Sequence, residues 1–93
     1  MIDKDQLLLL LKARLGISTN VRDVYLTAII ESIIEELTDE KGITLVPENV
    51  NHLMLIVDYA SWRYKSRDES GAMPRHLQYR LHNLMIHNGG DPA

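Results

Sequence analysis

Apolar residues recur along the chain at helical spacing in four stretches, punctuated by Gly, Pro, Ser and Asn. In the first, Leu7, Leu11 and Leu15 fall on one face and Leu8, Leu9 and Leu10 spread round the rest. Asp3 with Gln6 is spaced as a capping box and Gly16 as a C-terminal stop, which predicts a helix over 4–15. A second helix is predicted over 21–40, with Asn20 and Asp23 at N-cap and N3 spacing. Its residues Tyr25, Leu26, Ile29, Ile30, Ile33, Ile34 and Leu37 cover about half the circumference. Lys41-Gly42 ends it. Ile43, Thr44, Leu45 and Val46, rich in β-formers, form a short extended connector. Pro47 and Glu48 suit the first turn of a third helix over 47–66. A polar turn from Arg67 to Met73 surrounds Gly71. A fourth helix, 74–88, runs from Pro74 to the stop at Gly89-Gly90. The fold class expected is all-α: one domain, 1–93, resembling a small four-helix bundle, with a short extended connector between helices 2 and 3.

The third helix organises the rest. Val50, Leu53, Ile56, Val57, Ala60 and Tyr64 share one face; Leu55, Tyr59 and Trp62 line the opposite one. Asn51, Asp58, Ser61 and Lys65 form a narrow polar wedge between them. A helix with two apolar faces needs cover on both. One cover is the core of the chain itself; the other is a further helix or a neighbouring subunit. The residues expected to be buried together are Leu26, Ile30, Ile33, Leu37, Leu53, Ile56, Val57, Ala60, Leu77, Leu81 and Leu84.

Ninety-three residues allow one core. With no cysteine, a disulfide framework and thiolate chemistry are excluded and a reducing compartment fits. The opening Met1-Ile2-Asp3-Lys4-Asp5 is too acidic for a signal peptide. The Leu7–Leu11 run is far short of the roughly 18 residues a membrane span needs. A soluble protein made inside the cell is the expectation. Residues 1–46 carry eight acids against five Lys/Arg, whereas 47–93 carry five of each and all four histidines. Neither half has the basic excess on which phosphate neutralisation depends, so generic DNA binding is disfavoured.

Candidate chemistry is sparse. His82 and His87 stand five apart, on different helical faces, and no metal-binding spacing is present. No Gly-rich phosphate loop or nucleophile elbow occurs; Ser70-Gly71 lies in a hydrophilic turn. Asp58, the one carboxylate inside an apolar run, reads as a helix-edge group or structural acceptor before a catalytic one. No enzyme activity, cofactor or metal is expected. The fourth helix places His76, Arg80 and His87 beside its Leu77, Leu81, Leu84 and Met85 stripe, a pattern compatible with a DNA-reading helix. However, the preceding turn is long and carries Asp68 and Glu69. Sequence-specific DNA binding is therefore not expected.

From Asp58 to Gly90, DYASWRYKSRDESGAMPRHLQYRLHNLMIHNGG, the chain resembles the head–tail connector (adaptor) proteins of tailed bacteriophages, in the small family that completes the head. Arg22, Asp23 and Tyr25 in RDVYLTAIIESIIEEL match a common phrase of that family, and Asp58-Tyr59 and Arg63-Tyr64 match its middle. The short tail after Gly90 departs from relatives whose C-terminal segment reaches toward the portal. The resemblance implies a helical bundle assembling as a homo-oligomeric ring, twelve copies in the particle. The ring lies beneath the portal protein and contacts the next neck or tail-completion protein. The location implied is the virion neck, after synthesis in the host cytoplasm. The alternative class is a small helical regulatory protein acting on DNA or a single protein partner.

Surplus apolar surface fits such assembly. Leu55, Tyr59 and Trp62 on the third helix and Leu9 and Leu10 on the first exceed what one core needs. Four short helices bury one of these sets but not both, and a remaining patch marks an interface. The acidic end of the second helix, with Glu35 and Glu36, and the side chains of Arg63, Arg67, Arg75 and Arg80 are the candidates to steer neighbours into register. The i, i+4 acids of the second helix repel one another and oppose the helix dipole; they read first as a solvated face and otherwise as an acidic patch for a basic partner.

Overall fold

A computed structural model describes residues 3–66 and 73–88, the side chains of 87 and 88 apart. Among these residues there are four α-helices and no strand: α1 (Lys4–Leu15), α2 (Asp23–Glu35), α3 (Val50–Lys65) and α4 (Arg75–Asn88). A single π-helical turn, Glu36–Glu40, extends α2. The fold is all-α, a small helical bundle.

Local chemistry sets the ends. The Asp3 carboxylate accepts from the N–H groups of Asp5 (3.0 Å) and Gln6 (3.2 Å), satisfying two otherwise orphaned donors at the start of α1. At its far end Gly16 takes a left-handed φ of 74°. There its N–H reaches the Ala13 carbonyl and that of Ile17 reaches Lys12 at 2.9 Å, the Schellman arrangement. The second helix starts later than the sequence suggests. Asn20 does not cap it, because its side chain accepts from Lys12 Nζ (3.1 Å); the N-cap is Arg22, with no side-chain cap bond. Lys12 also pairs with Asp23 at 2.9 Å. At the π turn the Lys41 N–H bonds the Glu36 carbonyl, and Gly42, at φ 65°, reverses the chain so that the Ile43 N–H closes on Leu37 (2.9 Å).

The third helix also starts later than expected, at Val50. Pro47 and Glu48 are instead the central residues of a β-turn, closed by Asn49 N–H to Val46 carbonyl at 3.0 Å. Proline's fixed φ suits the second position of such a turn. Asn49 then caps α3, accepting from Asn51 and His52 N–H groups. Residues 43–46 between helices are irregular backbone, pinned where the Val46 N–H donates to His52 Nδ1 (3.0 Å). Residues 67–72 of the expected Arg67–Met73 turn, the Gly89-Gly90 stop and the tail lie outside the described residues.

The bundle runs antiparallel from each helix to the next. Lys4 pairs with Glu31 and Lys12 with Asp23 across α1 and α2; Tyr64 near the end of α3 meets Tyr25 near the start of α2; and the start of α3, at Asn51 and His52, shares a groove with Asn83 and Leu84 near the end of α4. Helices α1, α2 and α3 pack on one another, whereas α4 packs on α3 alone. Every residue expected in the shared core is buried. Leu7, Leu11, Ile29, Ile43, Leu55, Tyr59 and Tyr64 join them in one continuous cluster. Each fully buried Leu or Ile contributes about 1.5–3 kcal/mol by removal from water. On α3 two positions depart from the helical projection. Val50, at the first turn, is exposed rather than core-facing, and Ser61 is buried rather than in the polar wedge.

Candidate interaction surfaces

The two apolar faces of α3 are both covered within the protomer. Leu55 and Tyr59, expected as surplus surface, are buried because α4 and the end of α2 close over them. Trp62 is half-buried against the core, its ring 6.0 Å from that of Tyr59. On α1, Leu10 packs partly against the core, while Leu9 remains 68% exposed. Of the two sets, the α3 one is therefore taken up internally and the α1 one is left partly in solvent.

Several charges expected at a contact with a neighbour are engaged at home. The Tyr59 hydroxyl donates to Glu36 Oε2; Arg63 Nη2 donates to Glu36 Oε1 (3.1 Å) and to the Tyr59 oxygen (2.9 Å). Arg63 Nη1 adds a bond to Ser32 Oγ at 3.1 Å, and its guanidinium lies 4.8 Å from the Tyr59 ring centroid. Burial first, then the bond to Glu36, pushes the Tyr59 phenol up to about 12. Around Asp58 a second knot forms. Its carboxylate meets Arg80 at 2.7 Å and Arg14 at 3.4 Å, tying α1, α3 and α4 together. This is the structural-acceptor reading of Asp58. Glu36, Arg63 and Arg80 thus hold helices to one another. Glu35 and Arg75 stand exposed, and Arg67 lies outside the described residues.

Two exposed faces emerge that the helical projection did not single out. On α2, opposite the core stripe, Val24 (86% exposed) and Ala28 lead into Glu31 and Glu35, with Val21 just before the helix. On α4, opposite Leu77, Leu81 and Leu84, Arg75, Tyr79 (67% exposed), His82 and Ile86 (45% exposed) form a line at i, i+4, i+7, i+11. The signal was present in the spacing: each apolar residue sits half a turn from the core stripe of its own helix. Tyr25, at the edge of the apolar half of α2, lies at the rim with its ring tilted against that of Tyr64 at 6.0 Å; Arg22 donates to the Tyr64 hydroxyl.

Enclosed chemistry is limited. A shallow groove of about 350 Å³ between the start of α3 and α4 is lined by Asn49, Asn51, His52, Leu55, Arg80, Asn83 and Leu84. The imidazole of His52 is buried there, and burial lowers its pKa. Among the described residues no group of three or more His, Cys, Asp or Glu could hold a metal ion. Among the same residues no helix is long and apolar enough to cross a membrane.

The family model described as phage gp6-like head–tail connector protein matches residues 6–84, from the second turn of α1 nearly to the end of α4. No curated protein and no solved structure matches the chain.

Proposed function

We propose that this chain, which belongs to the phage gp6-like head–tail connector family, is a head-completion adaptor that forms a homo-oligomeric ring at the virion neck. The ring lies between the portal protein and the next neck or tail-completion protein. The family is structural and non-enzymatic, and its role is assembly with other phage proteins. One continuous core running through all four helices supports reading residues 1–93 as a single connector domain.

The observation that carries the reading is the family match across almost the whole helical body, joined to outer faces of unlike character on α2 and α4. Unlike faces on one protomer form head-to-tail contacts, and these close into rings when the rotation per copy permits. Of the described residues expected at such contacts, Leu9, Glu35 and Arg75 are left in solvent, with Leu10, Glu36, Trp62, Arg63 and Arg80 partly so. Sedimentation of the purified protein with and without a portal ring tests the reading. The expected result is a slow species alone and a fast ring-bearing species with the portal. A protein that stays slow at every concentration with portal present, and is absent from joined heads and tails, overturns it.

A further inference from the structure

The outer faces of α2 and α4 are complementary in charge, length and direction. From Asp23 to Glu40 the chain carries six acids and no Lys or Arg; Asp23, Glu31 and Glu36 each meet a cation of their own protomer, and Glu35, Asp39 and Glu40 stand exposed. Helix α4 carries no acid, and of its two arginines Arg75 lies on the outer face while Arg80 turns inward onto Asp58. The exposed line on α2 runs from Val24 to Glu35 and that on α4 from Arg75 to Ile86. Each therefore spans about 16 Å at 1.5 Å per residue. Within one protomer α4 touches only α3, so the two faces do not meet each other.

We propose that the contact between neighbouring copies lays the outer face of α4 antiparallel on the outer face of α2 of the next copy. The register is Arg75 on Glu35, Tyr79 on Glu31, His82 on Ala28 and Ile86 on Val24. The contact rests on the ring reading for the existence of a neighbour and adds the surfaces and their alignment.

Direction follows from electrostatics. In an isolated protomer Arg75 sits at the positive end of α4, opposed by its own helix dipole, and Glu35 lies between Glu31 and Asp39, acids one turn away on either side. The antiparallel arrangement brings these two residues together, so each misplaced charge gains an opposite charge and Glu35 also gains the positive end of α4. A parallel arrangement would set Ile86 against Glu35 and Arg75 against Val24, stranding both charges on apolar neighbours. The middle pair agrees. Lys4 holds Glu31 through Oε2 at 3.1 Å, which leaves Oε1 to accept from the Tyr79 hydroxyl of the neighbour. The apolar end, Ile86 over Val24, supplies the contact that excludes water beside the charged pair. Because each copy offers both faces and they are unlike, the contact propagates from copy to copy.

Absence of cysteine makes the register directly testable. The variant Val24→Cys/Ile86→Cys and each single substitution are assembled on portal rings and treated with a short bismaleimide. A ladder of covalent species beyond the dimer from the double variant, with monomer from each single one, is the expected result. Portal-bound assembly of the double variant without a ladder overturns the register while leaving the ring reading intact. If wild type itself fails to assemble on portal, the ring reading and this contact fall together. Charge reversal provides a second measurement independent of cysteine. Glu35→Arg or Arg75→Glu alone should raise the concentration needed for assembly about fivefold or more, and the two together should restore it. Reversals that leave assembly unchanged, or a pair that restores nothing, overturn the contact.

Discussion

At the scale of single residues, His52 links helix start, connector and pH. Its Nδ1 accepts the Val46 N–H, so that nitrogen carries no proton in the folded state, and protonation would set two donors against each other. Burial holds the folded pKa below the ordinary 6.5. The unfolded chain therefore takes up the proton first. The neutral imidazole contributes its full stabilisation above about pH 6.5, and this is lost as pH falls below that value toward the folded pKa. Thermal melts stepped from pH 7.5 to 5 should show the loss, and His52→Asn should show a shallower slope over that window. An equal slope in the two proteins would assign the loss to other groups. The core offers a simpler measure. Ile33 and Ile56 have no exposed surface, so truncating either to Ala should cost about 2–5 kcal/mol in urea denaturation, transfer and cavity terms combined. A cost under about 0.5 kcal/mol at both would mean that neither side chain is a core residue.

At the scale of elements, each helix was legible because its apolar spacing repeats over several turns, and α1 was legible to its ends because Asp3 and Gly16 act through local backbone chemistry alone. The boundaries that moved did so for reasons outside the local pattern. Asn20 has the right chemistry to cap α2 but is taken by Lys12 from the neighbouring helix, a tertiary competitor invisible in sequence. Pro47 fits a helix start and a turn equally well, and Asn49 two residues on settled it in favour of the turn. The acidic end of α2 was read as one patch, yet its members divide. Glu36 lies among Tyr59, Arg63 and Ser32, while Glu35 faces solvent. Glu36→Lys removes the acceptor and places a cation beside Arg63, so it should cost about 1–3 kcal/mol of stability. Glu35→Lys should lie within about 0.5 kcal/mol of wild type and act on assembly instead. Chemical denaturation of both variants separates the two roles; equal destabilisation would place Glu35 in the same network.

For the whole molecule, charge is arranged by helix, and that arrangement bears on partners more than its small total does. The candidate site was half legible at this scale. Surplus apolar surface was expected, but the α3 set proved to be core once α4 and the π turn covered it, because helix-wheel reasoning cannot tell which face a distant element will cover. The basic residues of α4 illustrate the consequence for nucleic acid. Arg80 is turned inward onto Asp58 at 2.7 Å, and of the other charged or titratable groups Arg75, His76 and His82 are exposed. A DNA-reading helix needs several cations free to reach phosphates and base edges, and here one of the two arginines already neutralises a carboxylate of its own bundle. The exposed acids Glu35, Asp39 and Glu40 at the end of α2 and its π turn add repulsion at an approach of that end to duplex DNA. The protein should therefore show no sequence-selective binding to duplex DNA at 150 mM salt, a condition under which specific binders hold their sites in the roughly 10 nM range or tighter. Fluorescence anisotropy with mixed-sequence duplexes, repeated across salt concentrations, is the measurement. Sub-micromolar, sequence-dependent binding whose affinity falls steeply with salt would favour a regulatory DNA-binding protein and overturn the connector assignment of α4 as a protein-contact face.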